Sequence, residues 1–112
     1  LIEARVEKEK PHLRPDFDAE ALARLLDVTP LRLSRLFRNN TPHHTPEDYI
    51  DFRRVISAME LMRRQPNYSV AAVAQDVGFS SIRTLQRRMQ QAIGMTPVEF
   101  RLLIEPPKPE GG

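Results

Sequence analysis

The sequence predicts an all-α fold, and its composition, its periodicity and its punctuation all point the same way. Leucine, alanine, arginine and glutamate dominate, apolar residues recur at three- and four-residue spacing, and no run of β-branched residues alternates with polar ones. The helix starts are unusually legible. Thr29-Pro30, Thr45-Pro46 and Thr96-Pro97 each set a capping hydroxyl before a proline whose fixed φ suits the first helical position.

About seven helices are expected, over residues 2–10, 18–26, 30–39, 46–64, 69–77, 81–92 and 97–104. The second and fifth start alike: Asp18 follows Phe17 and Ser69 follows Tyr68, so an aromatic precedes each cap, and Leu22 or Val73 stands where a hydrophobic staple needs an apolar partner. The third and fourth open at Thr29 and Thr45. The fourth, over residues 46–64, is long and apolar around much of its circumference. Tyr49, Phe52, Val55, Ile56, Met59 and Met62 form one arc, while Ile50 and Leu61 lie elsewhere on the wheel with Ala58 between. Such a helix must be buried on several sides, so its first half is expected against an N-terminal lobe and its second half against a C-terminal one. In a second reading Phe52, Ile56 and Met59 stay partly exposed and dock a further domain or subunit. The seventh helix opens with a capping box, Thr96 with Glu99. Residues 105–112, with prolines at 106, 107 and 109, cannot continue it and are expected to form a mobile tail.

Residues 17–37 repeat in 68–89 at a spacing of 51 to 52. Ala23 falls on Ala74, Leu26 on Val77, Asp27 on Gly78, Val28 on Phe79 and Thr29 on Ser80; after a one-residue step Leu33 falls on Leu85, Arg35 on Arg87 and Phe37 on Met89. The physical content is a helix pair. A small residue in the first helix lets the second cross closely, and four residues later Asp27 or Gly78 tolerates the positive φ of a sharp turn.

The 112 residues suffice for one compact domain, or two very small lobes sharing a core, and the chain contains no cysteine. Neither a disulfide framework nor a thiolate metal site is available, and a reducing cytoplasm is the expected compartment. No stretch approaches a membrane span, and the charged opening is no signal peptide. The chain opens without methionine at a residue read as mid-helix, which suggests a C-terminal piece of a larger protein. Its net charge of +2 hides an uneven distribution: residues 1–29 hold 5 basic and 7 acidic side chains, residues 30–104 hold 11 and 6, and all eleven are arginine. Arginine offers a planar donor fork suited to phosphates and guanine edges, although a solvated arginine-rich surface would read the same way. No glycine-rich phosphate loop, nucleophile elbow or paired-carboxylate pocket appears, and no cofactor is implied. His43-His44 is a weak metal candidate, because adjacent residues rarely ligate one ion and His12 is distant in sequence. No enzyme is expected.

From about Asp18 to Arg101 the chain resembles the AraC/XylS family of transcription regulators. The resemblance rests on Val77-Gly78-Phe79-Ser80-Ser81, Thr84-Leu85-Gln86-Arg87 and Gly94-Met95-Thr96-Pro97-Val98-Glu99-Phe100-Arg101. In the first half it rests on Leu33-Ser34-Arg35-Leu36-Phe37, Tyr49-Ile50, Arg54, Ala58 and Leu61. It implies one domain over residues 1–104: a helix-turn-helix lobe over about 1–45, a linker helix over 46–64 and a second lobe over about 65–104. The chain departs from the family at Asp27 and Pro42, where glycine is usual, and at Met89 and Gln90. Since proline cannot supply a left-handed cap, Asn39 or Asn40 is expected to end the third helix.

The resemblance further implies sequence-specific binding of double-stranded DNA in the major groove, within a larger effector-responsive regulator, most often an activator. Its partners would be DNA, RNA polymerase and an N-terminal sensory or dimerisation domain, with no membrane contact by this part. A 19-residue linker helix would be about 28 Å long at ~1.5 Å per residue, near the ~34 Å between equivalent major-groove positions. First turns of recognition helices point at base edges. The candidates are therefore Leu31, Arg32, Ser34 and Arg35, with Arg38 nearer the backbone, and then Ile82, Arg83, Gln86 and Arg87, with Thr84 beside them. Helix-start amides and hydroxyls around Thr29, Ser80 and Ser81 would hold phosphates. Arg35 and Arg87 could instead pair with acids of their own lobes, and Arg32, Arg38 and Arg88 could form plain solvated faces. Arg53 and Arg54 are expected to brace the linker helix or touch the backbone. The alternative function is a protein-interaction module docking an acidic partner such as RNA polymerase.

Overall fold

A computed structural model describes residues 2–40 and 42–104, with the side chains of Ile2, Glu3 and Asn40 excepted. The expected tail at 105–112 lies outside the described residues. Seven α-helices are present among them: α1 (Ile2–Glu9), α2 (Ala19–Leu25), α3 (Pro30–Asn40), α4 (Pro46–Arg64), α5 (Val70–Asp76), α6 (Ile82–Ile93) and α7 (Pro97–Ile104). They match the expected seven within a residue at each end. One element was not foreseen, a 3-10 turn at Pro11–Leu13.

The caps fall on the expected residues. Asp18, Thr45 and Ser69 each accept a hydrogen bond from the third amide of the helix they open. Thr96 and Glu99 bond reciprocally, at 2.9 and 3.2 Å, as a capping box does. The aromatics before the two similar starts diverge. Phe17 is buried in the same cluster as Leu22, whereas Tyr68 lies at the surface and donates its hydroxyl to Asp76 at 2.9 Å, so only the first staple forms. α3 runs on through Asn39 to Asn40, so Asn39 does not end it, and the residue after Asn40 lies outside the described residues.

The repeat is one backbone motif used twice. After α2, Val28 N–H bonds Ala23 O at 3.0 Å and Asp27 N–H bonds Arg24 O at 3.2 Å; after α5, Phe79 N–H bonds Ala74 O at 2.9 Å and Gly78 N–H bonds Gln75 O at 3.2 Å. Each is a paired six-to-one and five-to-two closure of a helix end, which requires a left-handed residue between. Asp27 supplies it at φ 57° and Gly78 at φ 98°.

Two cores flank the long helix. Val6, Phe17, Leu22, Ala23, Leu33 and Phe37 bury against Tyr49 and Ile50 of its first half. Val73, Ala74, Val77, Phe79, Leu85, Met89 and Phe100 bury against Val55, Ala58 and Met62 further along. That is the two-lobe arrangement expected from the wheel. Met59 packs against the second core and Phe52 against the His43 ring, at 4.8 Å between centroids. The two residues thus have partners within this chain.

Between the lobes lies a polar junction. Arg54, 8% exposed, donates Nε to the carbonyl of His12 at 2.8 Å and Nη2 to those of Arg14 and Phe17, both at 3.0 Å. Its guanidinium also lies 5.9 Å from the centroid of the Phe79 ring, in the second lobe. His12, 1% exposed, bonds Ser57 Oγ through Nε2 at 2.8 Å. Arg53 pairs with Glu7, tying α1 to α4. Gly78 closes the junction from the other side: a Cβ there would sit 2.7 Å from His12 O, 2.9 Å from Arg54 Nε and 3.1 Å from Leu13 O. The glycine is required by crowding as well as by its φ.

Two expected outcomes follow from the junction. Gly78→Ala adds left-handed strain and a clash with backbone, and lowers the unfolding free energy by roughly 2–4 kcal/mol. Asp27→Gly, at the equivalent φ in the first turn, is neutral or stabilising by up to about 1 kcal/mol; urea titrations of the two variants check the contrast.

The second outcome concerns acid. Burial, aided by the charges of Arg53, Lys10 and Arg54, pushes the His12 imidazole down to about 4 from 6.5. The unfolded chain therefore takes up a proton near pH 6.5 that the folded chain refuses until about pH 4. His12 leaves stability unaffected above pH 6.5, and its contribution falls by roughly 2–3 kcal/mol on acidification to about pH 4.5. Chemical denaturation at stepped pH should show this loss in the native chain and a flatter profile in His12→Gln.

Candidate nucleic-acid interface

The two second helices of the repeat, α3 and α6, are built alike. In α3 the Thr29 hydroxyl accepts the Arg32 amide at 3.2 Å, and in α6 the Ser81 hydroxyl accepts the Thr84 amide at 3.1 Å. The cap of α6 is thus Ser81 rather than Ser80, and Ser80 is the extra residue that lengthens the repeat from 51 to 52. In each helix two apolar residues four apart turn wholly inward: Leu33 and Phe37 at 0% and 1% exposure, Leu85 and Met89 both at 0%. The 3.6-residue period then turns the intervening residues toward solvent.

Every expected contact residue lies on those outer faces or at their edges. On α3, Leu31 is 63% exposed, Arg32, Arg35 and Arg38 are exposed, and Ser34 is half-buried. On α6, Ile82 is 40% exposed, Arg83, Gln86 and Arg87 are exposed, and Thr84 is half-buried. The hydroxyls of Ser81 and Thr84 lie 3.0 Å apart in a mutual hydrogen bond, so both are already partnered at the helix start. Leu31 and Ile82 are thus exposed large apolar side chains on the first turns of α3 and α6.

The arginines divide by electrostatic partner. Among the described residues Arg32, Arg35, Arg38, Arg83 and Arg87 form no ion pair. Arg53, Arg54 and Arg88 are all paired. Arg53 meets Glu7, and Arg54 lies 3.5 Å from Asp51. Arg88, for which a solvated face was one expectation, reaches from α6 to α4, with Nη2 2.8 Å from Asp51 and Nη1 3.6 Å from Asp48. The pattern leaves positive charge unneutralised on the outer faces of α3 and α6 and neutralises it along α4, at its contacts with α1 and α6.

Two features escaped the sequence reading. One is the buried His12, which had figured only as a remote companion to His43-His44; no His/Cys/Asp/Glu group suited to a metal occurs among the described residues. The other is the Arg88 bridge. Asp48 and Asp51 stand one turn apart on α4, which hints at a partner on the facing helix, but only the packing of α6 onto α4 identifies it. His43 packs on aromatic rings, 5.5 Å from Tyr49 and 4.8 Å from Phe52. Among the described residues no helix is long and apolar enough to cross a membrane.

This architecture is shared with known proteins. The chain is 28% identical to the DNA-binding domain of AdpA, a global transcriptional factor solved in complex with a target DNA; the TM-score is 0.78, over 98% of this chain and 97% of that one. An AraC-type transcriptional regulator from Chromobacterium violaceum, 21% identical, aligns with TM-score 0.78 over 96% of this chain and 94% of its own. A probable AraC family regulator from Rhodopseudomonas palustris, 22% identical, aligns with TM-score 0.74 over 94% and 98%. The last two likenesses establish the fold alone. No curated protein gives a significant sequence match. The family model described as a helix-turn-helix domain matches residues 22–102, most of the chain and both halves of the repeat. With two capped helix pairs on one linker helix and that match across both, the chain belongs to the AraC-type helix-turn-helix domain family.

Proposed function

We propose that the chain binds double-stranded DNA sequence-specifically, with α3 and α6 as recognition helices in successive major-groove segments, as part of a transcription regulator. The observation that carries this reading is the pair of outer faces just described, matched in position and free of internal ion pairs among the described residues. The AdpA domain, solved with its target DNA, supports it.

In this reading Arg35 and Arg87, the repeated pair, face base edges or phosphates, with Arg32 and Arg83 beside them and Arg38 nearer the backbone. A guanidinium takes guanine O6 and N7 through two parallel bonds, Gln86 suits adenine, and Leu31 or Ile82 meets a thymine methyl. Ser34 and Thr84 border the contact. The free amides of the first turns beside Thr29 and Ser81 hold phosphates, because helix N-termini present unsatisfied donors and a positive dipole end. An upstream sensory or dimerisation domain and RNA polymerase complete the proposed assembly. An acidic protein partner as the sole target is the competing reading.

Fluorescence anisotropy on duplex DNA separates the two. Neutralising about four phosphates predicts a loss of affinity on the order of a hundredfold between 50 and 200 mM salt. Affinity that stays flat over that range would sink the DNA reading. On a site selected from a random duplex library, Arg87→Ala should cost about 1–3 kcal/mol, with a much smaller loss on unrelated duplex. Equal losses on the two would make Arg87 a phosphate or structural residue instead.

A further inference from the structure

Among the positions where the two halves of the repeat differ, one joins α6 to α4. Arg88 in α6 corresponds to Leu36 in α3, and Leu36 is a 39% exposed apolar residue. Arg88 has Nη2 2.8 Å from Asp51 Oδ2, Nη1 3.6 Å from Asp48 Oδ1 and Nη1 3.2 Å from Gln91 Oε1. The Asp51 side chain is only 17% exposed and that of Arg88 27%. The other Asp51 oxygen lies 3.5 Å from Arg54 Nη1, and the remaining Arg54 donors hold the carbonyls of His12, Arg14 and Phe17. One carboxylate therefore joins two guanidiniums. A continuous run of charge-assisted bonds leads from the segment before α2, across α4, to the second recognition helix.

Isolated surface ion pairs contribute little, but a partly buried carboxylate shared by two arginines has directional bonds and restricted rotamers. Apolar packing between α4 and α6, through residues such as Val55, Leu85 and Met89, attracts without fixing orientation. The bridge adds the missing angular constraint.

Resting on the DNA-binding reading above, we infer that Arg88 is a positioning residue: by locking α6 to α4 through Asp48 and Asp51, it sets the half-site spacing the chain accepts. Arg88 itself does not read bases. One inserted base pair shifts a half-site by about 3.4 Å and rotates it by about 35°. A rigid pair of recognition helices cannot follow such a change, whereas a pair released from the bridge can follow part of it.

The test uses the 112-residue chain and a duplex selected from a random library, with variants carrying one base pair more or fewer between the half-sites. The native chain should disfavour the altered spacings by about tenfold or more. Arg88→Gln should shrink that penalty severalfold while binding to a single half-site stays within about twofold, and Arg88→Lys should restore part of the discrimination. Asp48→Asn, a milder change, should move the penalty in the same direction and serves if Arg88→Gln lowers the melting temperature too far for binding measurements. An unchanged spacing penalty in folded Arg88→Gln or Asp48→Asn overturns the inference. So does an equal loss of affinity on every duplex, which would make Arg88 a phosphate contact. Absence of salt-dependent binding by the native chain would instead refute the DNA reading itself.

Discussion

Much of this structure depends on where the Arg54 guanidinium goes. A charge that is 8% exposed is costly unless its donors are satisfied, and Arg54 satisfies them with three main-chain carbonyls and one carboxylate. The carbonyls are those of His12, Arg14 and Phe17, in a segment with little regular structure of its own; Arg14 O also accepts the Phe17 amide, and at His12 and Phe17 Arg54 supplies the donor. Arg54 thus gives that segment a fixed path. The same guanidinium lies over Phe79 and almost touches the position a Gly78 side chain would occupy. Removing it would leave acceptors stranded on one side and a gap on the other.

A domain of this size with two small cores and no cysteine has little apolar area per lobe. The linker helix compensates by serving both, giving Tyr49 and Ile50 to one core and Val55, Ala58 and Met62 to the other. Sharing a helix ties both cores to one common axis. The polar contacts around it, Arg53 to Glu7 and Arg88 to Asp48 and Asp51, then sit where the apolar seams leave orientation underdetermined. The chemical division among the arginines follows: those beside acids brace the scaffold, and those turned outward on α3 and α6 keep their charge available.

The two turns show how one motif can rest on different reasons. Both need a left-handed residue, and both obtain the same pair of closing hydrogen bonds. Aspartate tolerates that conformation, and at the exposed first turn nothing more is asked of it. At the second turn the backbone of residues 12 and 13 approaches so closely that no side chain fits. The departure from glycine at Asp27 is therefore tolerated for a local reason, and the glycine at 78 is held in place by a tertiary one.

Local chemistry was legible in the sequence by itself. Caps, prolines and the 3.6-residue period depend on neighbours a few positions away, so the seven helices, the repeat and the outward residues of α3 and α6 could be read from it. The linker helix announced two burials through its wide apolar arc. What only the tertiary structure decided are contacts between residues about 40 positions apart: Arg54 with the carbonyls of residues 12–17, His12 with Ser57, and Arg88 with Asp48 and Asp51. A side chain's partner across such a distance depends on how helices cross, and neither propensity nor spacing encodes the crossing. The same reason explains why His12 read as a remote polar residue and proved buried, and why Arg88 read as surface and proved a tie between helices.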